Sequence, residues 1–117
     1  MRIPSTTDFD LDVDGVGRFT FGRRKMRDEL AIQVEYARII DGTIPTEWLS
    51  NIAGWLASFR ILMVTAPEDF DIDEMDPADP GTYERMGRVY GRLKEEEARF
   101  RKGNSSKRED DSAGTEG

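Results

Sequence analysis

The chain has 117 residues, 24 acids against 17 bases for a formal net charge of −7, and neither cysteine nor histidine. That length suits one domain with a single core and no staples. The missing thiols and imidazoles close cysteine-nucleophile, Ser-His-Asp and His-metal chemistry, so a non-enzyme without cofactor or metal is expected. The negative charge argues against binding nucleic-acid phosphates or anionic lipid.

Residues 1–8 read as an N-terminal arm. MRIPSTTDFD lacks the apolar core of a signal peptide, which predicts a protein retained in the compartment where it is made. The run Asp10 to Gly15, DLDVDG, resembles the front of a calcium loop. The ninth and twelfth loop positions would be Arg18 and Phe21, however, and neither can serve as an oxygen ligand. Phe9, Leu11 and Val13 alternate with aspartates, as in a half-buried strand, and Phe19 and Phe21 repeat the spacing after a glycine-rich turn. A two-residue Asp14-Gly15 turn would put these phenylalanines on the aspartate face. An odd loop instead puts all five apolar side chains on one face, which predicts a hairpin with its aspartates in water.

A helix is expected from about Arg24 to Asp41, with Met26, Leu30, Val34 and Ala37 as one stripe and Ile32, Tyr36, Ile39 and Ile40 widening it. Gly42 is the stop, and Thr46 caps a second helix from Glu47 to about Thr65, halted by Pro67. This second helix is apolar around nearly its whole circumference. A membrane span is disfavoured by Arg60 inside it. It is then either the central helix of the core or a helix that offers one side to a partner. On the partner reading Trp48, Ile52, Trp55, Phe59, Leu62 and Met63 are the candidate anchors, for a partner helix or for self-association. On the core reading the same residues are ordinary packing.

The stretch from Glu68 to Asp79 carries seven acids and reads as a solvated loop pinned by Phe70, Ile72 and Met75, with the basic cluster Arg23, Arg24, Lys25 and Arg27 as a partner within the chain. A third helix is expected to start near Asp79, Pro80 or Thr82, with Tyr83, Met86, Tyr90, Leu93 and Phe100 as its apolar stripe. Glu84 with Arg88, Glu95 with Arg99 and Glu97 with Arg101 stand four apart on its exposed side. Gly103 should end it, leaving 103–117 as a disordered acidic tail beyond a single domain spanning 9–102. The fold class expected is therefore α+β, mostly helical, with an N-terminal β-hairpin on a three-helix core.

The succession RRKMRDELAIQVEYARI, PTEWLSNIAGWLASFRIL and DEMDPADPGTYERMGRVYGRLKEEEARFR resembles the small tail assembly chaperones of long-tailed bacteriophages and prophages, over about Phe9 to Arg101. The resemblance implies a protein of the infected host's cytoplasm, absent from the mature virion. Such a chaperone binds the helical tape-measure protein, keeps it soluble and helps recruit tail-tube subunits. It carries over no catalytic residue. Another reading makes Asp8, Asp10, Asp12, Asp14 and the Glu68–Asp79 loop a mimic of DNA phosphates aimed at a host nucleic-acid-binding enzyme; another makes the chain a structural virion component.

Overall fold

In the computed structural model the backbone is described for residues 2–116 and the side chains for residues 2–102. The order of elements is β1 (Phe9–Val13), β2 (Gly17–Phe21), α1 (Met26–Ile40), α2 (Glu47–Leu62), β3 (Met63–Thr65) and α3 (Pro80–Glu116). The α+β class, a hairpin joined to three helices, is as expected.

The hairpin takes the odd loop. Phe9 pairs with Phe21, Leu11 with Phe19 and Val13 with Gly17, leaving Asp14, Gly15 and Val16 as the turn. Leu11, Val13, Phe19 and Phe21 are buried on one face while Asp10, Asp12 and Asp14 are exposed. Gly17 has φ +143°, and a Cβ there would stand 2.5 Å from Pro67, so only glycine fits where the turn meets the acidic loop.

The second helix is shorter than its apolar run. It ends at Leu62, and Met63–Thr65 becomes a third strand, antiparallel to β2, with Phe21 opposite Met63. The helix expected to reach Thr65 thus stops short, a correction with a physical reason: a two-stranded ribbon is marginal alone, and the Met-Val-Thr end of the run pairs its backbone with β2. Sheet order is β1-β2-β3.

Caps match their residue types. Thr46 accepts a hydrogen bond from the Leu49 N–H at 3.0 Å to start α2, and Asp79 accepts from the Gly81 N–H at 2.9 Å with Pro80 opening α3. Gly42, at φ +77°, reverses the chain after α1. α3 is bounded by Pro80 and Glu116, so the stop expected at Gly103 is not taken. The expected disorder of 103–117 falls on residues outside the described side chains, which on α3 reach as far as Lys102.

One cluster forms the core: Leu11, Val13, Phe19 and Phe21 from the sheet, Phe59 and Leu62 from α2, Phe70 from the loop, and Met86, Val89 and Leu93 from α3. α2 and α3 run in the same direction, because Trp48 meets Tyr83 and Trp55 meets Tyr90, seven residues on in both helices, at centroid separations of 5.9 and 6.1 Å. α1 packs on α2 and is tied to it by Glu35, which accepts from Arg60 at 2.8 Å.

Candidate functional site

The aromatic face of α2 is closed by the chain itself. Phe59 and Leu62 are buried in the core, Phe59 against Phe21 of the sheet and Tyr90 of α3; Met63 is buried within β3. These three are corrected from candidate anchors to core residues, because side chains this deeply buried have no surface left for a partner, and the Phe59 ring is shut against Phe21, Phe70 and Tyr90. Ile52 and Trp55 are half-buried, and the Trp55 ring lies over Gly87 of α3, where a methyl group would meet it at 3.4 Å. Of the six candidates Trp48 alone stays largely in solvent, 55% exposed, with one edge on Tyr83.

The open apolar surface is on α1. The helix buries Asp28 and Ile32 and half-buries Tyr36 and Ile39, whereas Met26, Leu30 and Val34 are 74%, 60% and 70% exposed. Spacing of i, i+4 and i+8 sets these three, with exposed Ala37, along the side opposite Ile32. The stripe Met26, Leu30, Val34 and Ala37 therefore faces out, and Ile32, Tyr36 and Ile39, read as widening it, face in. The turn between α1 and α2 adds Ile44, 92% exposed. Isolated exposed aliphatics are ordinary, but three in line on one helix face form a patch of the kind that marks an interaction surface.

The anchoring of α1 explains which side it presents. Arg2 donates to Asp28 at 2.7 Å and to the Ile61 carbonyl at 3.3 Å, while the Lys25 N–H donates to Asp28 at 2.9 Å. Burial pushes the Asp28 carboxyl up, but the Arg2 guanidinium and the Lys25 N–H outweigh it and hold it below its ordinary range. Glu35, paired with Arg38 and Arg60, is held down at about 2. Both fixed carboxylates lie on the inward side, so among the described residues the hydrocarbon of the opposite side has no partner.

At the N-terminal end of α1 a cleft of about 490 Å³ opens between this helix and α3, walled by Met26, Arg23, Lys25, Lys94 and Arg101 with Phe9 and Phe100 behind. The Arg23 guanidinium stands 4.0 Å over the Phe100 ring. Two acids also line the cleft, and Arg24 engages both, Glu29 at 2.6 Å and Glu97 at 3.0 Å. Glu97 thus turns to Arg24, away from the expected Arg101, while Glu84–Arg88 and Glu95–Arg99 form as expected.

Some acids of the two acidic segments are paired within the chain. Asp10 accepts from Arg18 at 2.8 Å and from Thr20 at 2.7 Å, Asp69 from Arg85 at 3.3 Å and Asp73 from Arg60 at 3.0 Å. The loop's cations come from α2 and α3; among the described residues the basic cluster at 23–27 makes no ion pair with it, a correction to the pairing expected. Among the described residues, no helix is long and apolar enough to cross a membrane. Comparison with protein families, with curated proteins and with solved structures gives no match.

Proposed function

We propose that the protein is a non-catalytic tail assembly chaperone of a long-tailed bacteriophage, one that holds helical segments of the tape-measure protein and helps bring tail-tube subunits to it. The observation that carries this reading is the outward stripe Met26, Leu30 and Val34 on α1, an apolar helix face left open on a small acidic molecule. A holdase needs that combination, hydrocarbon to cover a partner's hydrocarbon and net charge to keep the pair dissolved. The sequence resemblance supplies the identity of the partner. The acts of holding and release belong to the host cytoplasm, and the finished virion does not contain the chain.

Co-expression with the tape-measure protein tests it. The tape-measure protein should be soluble and co-purify with the wild-type chain, and should fall to the insoluble fraction with Leu30→Asp and Val34→Asp together. A tape-measure protein equally soluble without this chain, or stoichiometric recovery of the chain from purified virions, overturns the reading.

A further inference from the structure

We propose that the α1 stripe and the cationic cleft at its N-terminal end together receive one acidic amphipathic helix of a partner protein. The inference rests on the chaperone reading and narrows it, by stating which helices the chaperone selects.

Stripe and cleft are one surface, because Met26 belongs to both. Its charge opposes that of the molecule. On a chain of net −7, this end presents Arg23, Lys25 and Arg101, with Lys94 beside them but paired with Glu97 at 3.8 Å, and Arg27 flanks the stripe one position beyond Met26. Among the described residues neither Lys25 nor Arg27 has a carboxylate within ion-pair distance. The acids nearest them are spent: Asp28 on Arg2, Glu29 and Glu97 on Arg24. An incoming helix with apolar residues at i, i+4 and i+7 covers Met26, Leu30 and Val34, and carboxylates beside that seam reach the cations left unmatched. A second copy of this chain laid parallel along α1 would bring the same cations against these, and like charges facing one another oppose that pairing. Nucleic acid would use the cations and leave the aliphatic stripe uncovered.

The test is fluorescence anisotropy on the full chain with a labelled synthetic helix of about 20 residues, its leucine seam flanked by glutamates. The same seam flanked by lysines and a labelled duplex DNA serve as rival probes. The glutamate peptide should bind, the lysine peptide should bind at least about tenfold more weakly, and added salt should narrow the gap. Leu30→Asp should weaken the glutamate peptide by at least about tenfold. Lys25→Glu with Arg27→Glu should reverse the preference between peptides, with circular dichroism reporting that each variant keeps its helices. Equal binding of both peptides to the wild-type chain overturns the charge selection and leaves the holding of helices intact. Failure of both peptides, with the tape-measure protein still held, overturns the α1 surface and spares the chaperone reading. Binding of DNA that ignores Leu30→Asp, or self-association that Leu30→Asp abolishes, assigns the surface to another occupant and overturns the proposal.

Discussion

Phe59 and Leu30 are both large apolar residues on helices, and their environments are opposite. Phe59 is 1% exposed and meets Phe21, Phe70 and Tyr90 at ring separations of 6.4, 6.1 and 6.3 Å. Truncating it removes contacts on three sides, and the neighbours, fixed on sheet, loop and helix, cannot all move in. Phe59→Ala should therefore cost about 3–5 kcal/mol in urea unfolding. Leu30 points outward at 60% exposure, so Leu30→Asp should change stability by no more than about 0.5 kcal/mol. A Phe59→Ala loss under about 1 kcal/mol would show that this ring is not a core residue. In the sequence both residues satisfy helical spacing, and neither carries a mark of its direction. Direction depends on what the helix lies against, which is a property of other elements.

Among the elements, the hairpin was legible in the parity of its loop and in the face it buries, and the helices to within a few residues at most ends, because parity, caps and prolines act locally. Thr46 and the Asp79-Pro80 pair state their roles in the residues themselves. The orientation of α1 was not legible. That helix is apolar on two sides, Ile32, Tyr36 and Ile39 on one and Met26, Leu30 and Val34 on the other, so the periodicity fits either side facing in. Long-range polar pairs decide between them, Asp28 with Arg2 and Glu35 with Arg60, at separations of 26 and 25 residues that no local pattern reaches. β3 was missed for a related reason, since a partner strand far back in the chain converts the end of an apolar helical run into a sheet edge. The Glu35 pairing has a pH signature. Its carboxyl is held by Arg38 and Arg60 at about 2 in the fold, against 4.5 ordinarily. Over that interval the unfolded chain binds the proton more readily, so the stabilisation is complete above pH 4.5 and lost as pH falls through about 2. Glu35→Gln should flatten the acid limb of a stability-against-pH curve measured by denaturant midpoint. An unchanged limb would show that the contact is not held in solution.

Across the whole molecule Arg2, ahead of β1, acts as a tie. The Arg2 N–H donates to the Met63 carbonyl at 3.3 Å, and its guanidinium reaches Asp28 and the Ile61 carbonyl. One residue thus joins α1, the end of α2 and β3. Arg2→Ala leaves the Asp28 carboxylate, only 7% exposed, with one backbone donor. The expected cost is about 1–3 kcal/mol, and amide hydrogen exchange should quicken in α1 before the core helices. Uniform quickening would show that the tie is not local to α1. The junction of α2 with β3 has a further bearing on how such a chain can vary. Leu62 closes the rod and Met63 opens the strand, with no slack residue between them. The rod is consequently a ruler: its residue count sets both where the Trp-Tyr ladder falls on α3 and which phenylalanine Met63 faces. The 41–46 turn and the 66–79 loop can absorb added residues, while one more inside α2 would turn everything beyond it by about 100° and move the strand's side chains to the other face.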